Sequence, residues 1–219
     1  MSALTAEAAR LAQSHRVVGL LDALARSGVV PSPARAVHEL AYLANVLSPV
    51  FDLQPFDATL LKRRSGPYYP ALQVELDRMV GRGMVDALDQ GYELDETDGR
   101  YRVHARYRLR RDVAEPVLEA IRKVRRDEAH FLDELAAAYA GLSDEAMGLA
   151  TRWDARYADT DVDVNDVIDF GDWVSSAKNF SRNAAMAFAP ERTHTRDFHK
   201  AVQTRSAISI EKNIACRIP

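Results

Sequence analysis

The stretch from Leu88 to Leu109 constrains this chain most, because it spells out both strands of one β-hairpin. Tyr101-Arg102-Val103-His104-Ala105-Arg106-Tyr107-Arg108-Leu109-Arg110 alternates with period two, so a strand here carries one almost wholly basic face and one apolar face. Asp98-Gly99, between Thr97 and Arg100, is a turn signal, and a two-residue loop at that point sets the pairing register. Leu94 is then expected opposite Val103, Tyr92 opposite Ala105 and Leu88 opposite Leu109. Asp95 is expected to meet Arg102, Glu93 to meet His104 and Asp89 to meet Arg108. Much of the arginine stripe is neutralised within such a hairpin, which argues against a free phosphate-binding surface. Exposed cross-strand ion pairs are worth only about 0.2–1 kcal/mol each, so the pattern bears on pairing and surface charge more than on stability.

Helical stripes surround the hairpin. Leu11, Val17, Val18, Leu20, Leu21 and Leu24 predict a helix over about 5–26 that ends near Gly28. Ser32 reads as an N-cap with Pro33 at the first helical position, followed by Val37, Leu40, Ala41, Ala44 and Leu47 on one face and a stop before Pro49. Lys62-Arg63-Arg64 leads to a turn at Gly66-Pro67, and Leu72, Leu76, Met79 and Val80 predict a third helix closed at Gly83. Helix, helix, helix and a two-stranded wing is the chain order of a winged-helix module. Beyond the hairpin, Asp112 and Glu115 have capping-box spacing. A stripe from Val117 to Ala138 continues the helical pattern to about Gly141, with a break near Arg126-Asp127. Ser143 reads as the cap of another helix containing Met147, Ala150 and Trp153.

The fold expected is mainly α, of α+β class. A winged-helix-like domain over 1–111, with its hairpin at 85–110, precedes a helical domain over 112–219 that contains an acidic loop at 154–172 and a polar C-terminal tail. With 47% hydrophobic and 28% charged residues the chain has an ordinary globular composition, and its net charge of −3 is unlike that of a dedicated nucleic-acid-binding domain. That charge is uneven: residues 1–31 and 32–111 each sum to +1, and residues 112–219 sum to −5. Cys216 is the one cysteine and can form no internal disulfide, no apolar run approaches the length of a membrane span, and the N-terminus lacks a charged start followed by an apolar core. A cytoplasmic protein without membrane contact is expected.

Two segments carry the strongest functional pattern, Ala36-Val37-His38-Glu39-Leu40-Ala41-Tyr42-Leu43-Ala44 and Lys62-Arg63-Arg64-Ser65-Gly66-Pro67-Tyr68-Tyr69-Pro70-Ala71-Leu72. Together they resemble the Panacea antitoxin domain, also called SocA-like. In that family a helix reading roughly K-L-L-Y-F-A precedes a basic or aromatic stretch, Y-G-P-V and another helix. The resemblance covers about a third of the chain, and it departs at His38, in place of lysine, and at Ser65, in place of an aromatic residue. Related modules also look similar to small middle components of ABC-ATPase-linked defence systems. The resemblance implies a non-enzymatic protein whose partner, a toxin or an ATPase or effector subunit, is encoded in the same operon. The partner-binding residues it implies are His38, Tyr42, Arg64, Gly66, Pro67, Tyr68 and Tyr69. The bland reading stays beside it: Gly66-Pro67 only turns the chain and the two tyrosines only pack.

The alternative is a winged-helix transcriptional regulator that places its third helix in the major groove. That helix is expected to expose Gln73, Glu75, Asp77, Arg78 and Arg82, a face whose two carboxylates repel phosphate. Nucleic-acid contacts on this reading are Lys62, Arg63, Arg64, Arg106, Arg110, Arg122, Lys123, Arg125 and Arg126. Asp161, Asp163, Asn165, Asp169 and Asp172 fall on an EF-hand frame, but Asp166 stands where its glycine belongs and Asp172 where its bidentate glutamate belongs. The blander reading is an acidic loop in which Asp169 or Asp172 caps a helix near Trp173, or an acidic docking surface. His194 and His199 do not share a helical face, and with Cys216 they read as surface residues. The chain shows no P-loop, nucleophile elbow, zinc-protease motif or dinucleotide fingerprint. No catalytic residue, cofactor or metal is expected, and self-association stays open.

Overall fold

Val17, Val18, Leu20, Leu21 and Leu24 line one side of α1 (Ala3–Arg26), and the helix buries them at the centre of the protein. The computed structural model describes residues 3–51, 53, 59–63, 65–96, 99–143, 146 and 163–169. Gly28 ends α1 at φ +85°, donating its N–H to Ala25, while Val29 donates to Leu24. These two bonds satisfy carbonyls that a helix end leaves orphaned.

Ser32 and Pro33 depart from expectation. They form a two-residue strand, β1, paired antiparallel with Tyr107 and Arg106, and α2 (Ala34–Leu47) begins after them. The Ser32 hydroxyl donates to the Val29 carbonyl at 2.6 Å, so it holds the loop behind it and caps no helix. A neighbouring strand offered this backbone more than a helix start did. A 3-10 turn (Ser48–Phe51) closes α2.

The segment expected as a basic stretch and turn also becomes sheet. β2 (Thr59–Arg63) pairs with β3 (Gly66–Tyr68) on one side and β6 (Val167–Asp169) on the other, giving the order β3-β2-β6. Buried Ile168 pins β6 to the core. Asp169 stands in a strand opposite Thr59; Asp161, Asp172 and the helix expected near Trp173 lie outside the described residues. α3 (Pro70–Gly81) matches its sequence signal, with Pro70 in its first turn and Gly83 at φ +68° behind it.

β4 (Val85–Asp95) and β5 (Arg100–Leu109) are the expected hairpin in a different register. Leu94 lies opposite Tyr101, Tyr92 opposite Val103 and Glu93 opposite Arg102. The loop is longer than two residues: Asp95 pairs with Arg100, and Gly99 at φ +67° donates to the Asp95 carbonyl at 2.8 Å. A single glycine supplies one positive-φ position, whereas a tight two-residue turn of type I′ needs two. A bulge between Leu88 and Gly91, with Asp89 at φ +50°, then reverses which β4 residues face the core. Below it Val85 and Ala87 oppose Leu109 and Tyr107, and Leu88 opposes Arg106. Asp89 does not meet Arg108; Asp86 does.

Arg125, at φ −122° and ψ 47°, separates α4 (Arg111–Val124) from α5 (Arg126–Ala140), one residue before the expected break. Asp112 lies inside α4 and takes the Arg110 guanidinium at 3.1 Å, so it is not the cap. Ser143 does accept the Ala146 N–H at 3.2 Å, the bond of an N-cap. Leu118, Ile121, Phe131, Leu132 and Leu135 join α1 and α2 in one buried cluster, so the core runs across the expected boundary at 111. The described residues thus form an α+β fold of five α-helices and two three-stranded antiparallel sheets, the second ordered β1-β5-β4. Among them no helix is long and apolar enough to cross a membrane.

Candidate functional site

α2 and β3 do bring part of the expected partner-binding set together, but mostly inside the protein. His38, Tyr42, Pro67 and Tyr69 are all buried. Gly66 adopts φ +128°, with the Glu39 carboxylate 3.7 Å from where a Cβ would stand. Tyr68 is half-buried and carries the Arg63 guanidinium 3.4 Å above its ring. Arg64 lies outside the described residues.

His38 organises this cluster through a directional chain of hydrogen bonds. The Tyr69 N–H donates to Nδ1 at 3.2 Å, so the ring proton sits on Nε2 and points at Gln73 Oε1, 3.3 Å away. The Gln73 amide then donates to Asp77 at 2.9 Å and to the Tyr107 hydroxyl at 2.8 Å. Burial pulls the His38 pKa down to about 4, the Gln73 bond opposing and Arg63 adding to the fall. Burial also raises the Tyr107 phenol, partly offset by Gln73. The arrangement ties α2, α3 and the hairpin base into one hydrogen-bond network that ends on the Asp77 carboxylate and the Tyr107 hydroxyl.

The candidate nucleic-acid contacts are spread over β2, β5, α4 and α5, and most are engaged within the chain. Lys62 is held in β2, its backbone bonded to Asp166 and Asn165. Arg106 donates to the Pro31 carbonyl at 3.2 Å, Arg110 meets Asp112, and Arg125 meets Glu128 at 2.9 Å. Arg122 reaches Glu115 and, at 3.1 Å, the buried carboxylate of Asp22. Asp22 also draws in Arg26 and Arg111. Lys123 and Arg126 remain exposed at the α4–α5 junction. On α3, Glu75 turns inward to Ser14 and Arg78, contrary to expectation, because its position falls on the buried stripe with Leu72, Leu76 and Met79. The outer face of α3 is Ala71, Val74, Asp77, Arg78 and Arg82. Among the described residues no group of three or more His, Cys, Asp or Glu is placed to hold a metal ion.

The feature that sequence reasoning did not single out is the outer half of the hairpin. Tyr92 and Val103 form one cross-strand pair and Leu94 and Tyr101 the next, so all four share a face. They are 77%, 64%, 46% and 72% exposed. Four side chains of this size expose on the order of 400 Å² of contiguous, mainly apolar surface, the scale of a functional patch on a monomer. The alternation was visible in the sequence; which part of the face lacked a cover was not. No protein-family model, curated protein or solved structure matches this chain.

Proposed function

We propose that this chain is a non-enzymatic protein-binding module, an adaptor or antitoxin-like component of a bacterial toxin–antitoxin or antiphage defence system. The exposed face formed by Tyr92, Leu94, Tyr101 and Val103 carries the reading, because a protein surface that shields such a patch gains aromatic anchors with few rotatable bonds. The resemblance to the Panacea domain around 36–72 supplies the defence context. The scaffold is read as a winged helix: α1, α2 and α3 precede the hairpin, and β1 adds to it in the order β1-β5-β4.

That same chain order favours a second reading, a DNA-binding regulator. The engaged arginines and the mixed outer face of α3 weigh against it. The discriminating experiment is purification of the tagged chain from its native operon, with mass spectrometry and nucleic-acid staining of the eluate. A protein retained in stoichiometric amount by the wild type and lost from Tyr92→Ser/Tyr101→Ser supports the module. Salt-sensitive, sequence-selective DNA binding that ignores the double variant, with no protein retained, overturns it.

A further inference from the structure

Among the described residues β4 is an edge strand: the order β1-β5-β4 places β5 between two neighbours and gives β4 one, so the outer side of Gly91 to Leu94 has no strand partner among them. Its charge is one-sided. From Val85 to Glu96 the sequence carries Asp86, Asp89, Glu93, Asp95 and Glu96 and no lysine or arginine. Two of these acids are used within the hairpin, Asp86 by Arg108 at 2.8 Å and Asp95 by Arg102 at 3.7 Å. Asp89, Glu93 and Glu96 are exposed and form no ion pair among the described residues.

The strand that already pairs with β4 shows what such an edge accepts. β5 alternates arginine or histidine with apolar residues, so that in the outer half Glu93 and Asp95 meet Arg102 and Arg100 on one face while Tyr92 and Leu94 meet Val103 and Tyr101 on the other. The free edge repeats that demand, with Glu93 on the charged face and Tyr92 and Leu94 on the apolar one. A second copy of β4 meets it badly, because acids would oppose acids. We propose that the outer edge of β4, from Gly91 to Leu94, receives an extended basic segment of a partner protein in which Arg or Lys alternates with apolar residues. The segment adds a fourth strand to the β1-β5-β4 sheet, pairs its backbone with the open edge, sets its cations over Glu93 and extends the apolar face of Tyr92 and Leu94. This rests on the reading of the chain as a protein-binding module and names the partner's chemistry.

The test titrates the full chain with a synthetic peptide of about ten residues in which Arg alternates with Val, a length matched to a strand. Fluorescence anisotropy reads binding, and amide hydrogen exchange locates it. Saturable binding with slowed exchange at residues 91–94 is expected. Binding should weaken about tenfold or more in Glu93→Lys/Glu96→Lys and in high salt, and a peptide with Glu in place of Arg should not bind. All substituted side chains are exposed, and circular dichroism with a urea midpoint verifies that the variants fold. Absence of binding, protection confined to other residues, or equal affinity for the variants overturns the proposal. Displacement of the peptide by a single-stranded oligonucleotide that depends on Tyr92 also overturns it and makes the face a stacking platform. If the native partner co-purifies with Glu93→Lys/Glu96→Lys as fully as with wild type, strand addition fails and the adaptor reading stands. If wild type retains no protein, the adaptor reading itself fails.

Discussion

The two halves of the hairpin share one apolar face, which β5 continues without a break, yet they live in different environments. At the base, Val85, Ala105, Tyr107 and Leu109 are buried against the helices, and Tyr107 is tied to Gln73. At the tip, Tyr92, Leu94, Tyr101 and Val103 repeat the same chemistry in the open. The bulge at Asp89-Gln90 separates them. A period-two pattern therefore says which side of a strand is apolar, while the reach of the neighbouring helices says how far along that side water is excluded. Where the cover stops, residues of the same kind change from core to exposed surface.

The contrast is broken most directly at Tyr107. Replacing a buried aromatic residue removes its packing and leaves a cavity, so Tyr107→Ala should cost about 3–5 kcal/mol in urea denaturation and lower the midpoint without loss of the helical signal.

The next effect is carried by pH. His38 is held to a folded pKa of about 4, below its ordinary value of 6.5, so the unfolded chain binds the proton more readily. The stability this neutral histidine supports is complete above about pH 6.5 and is lost as pH falls toward 4, to the extent of roughly 3 kcal/mol. Urea midpoints at pH 7 and pH 4.5 should diverge by less in His38→Gln than in wild type. An equal divergence would mean that other groups carry the acid sensitivity.

Asp22 sharpens a related difference among the arginines. Those facing Asp22 are structural; those on the hairpin's charged face serve the surface. Asp22→Asn removes the carboxylate shared by Arg26, Arg111 and Arg122, all partly exposed, so the loss should be moderate, about 1–3 kcal/mol. The same geometry makes charge reversal at Arg122 a poor probe of DNA binding, because it also strips a partner from buried Asp22.

The smallest expected effect lies at the tip. Tyr92→Ser/Tyr101→Ser should shift stability by no more than about 0.5 kcal/mol while removing the retained partner, since neither side chain has a core to leave. A loss comparable to that of Tyr107→Ala would mean that the tip is covered and the docking surface lies elsewhere.

Local signals were legible wherever a short segment decides its own backbone. Gly28 and Gly83 end helices because only a residue tolerant of positive φ fits there, Pro70 opens α3 from a position that needs no N–H, and the hairpin strands declare themselves by alternation. Register was not legible, because a turn glycine fits loops of several lengths and a bulge leaves no fixed motif; Leu88 and Asp89 were misplaced for that reason. The strands β1, β2, β3 and β6 escaped for another. Each has five residues or fewer, and each is a strand only because a distant segment offers it a backbone partner: Ser32 meets Tyr107, and Leu60 meets Ile168. Burial of the acids Asp22 and Glu75 and of His38 likewise depended on arginines, Ser14 and Gln73 brought in from other elements. The sequence by itself determined the helices, the glycine stops of α1 and α3 and the two-faced hairpin, since those follow from periodicity and backbone tolerance. Only the tertiary structure decided which apolar residues are core and which are surface, because burial is a property of what packs on top, and nothing in a strand's own residues encodes the length of its neighbour.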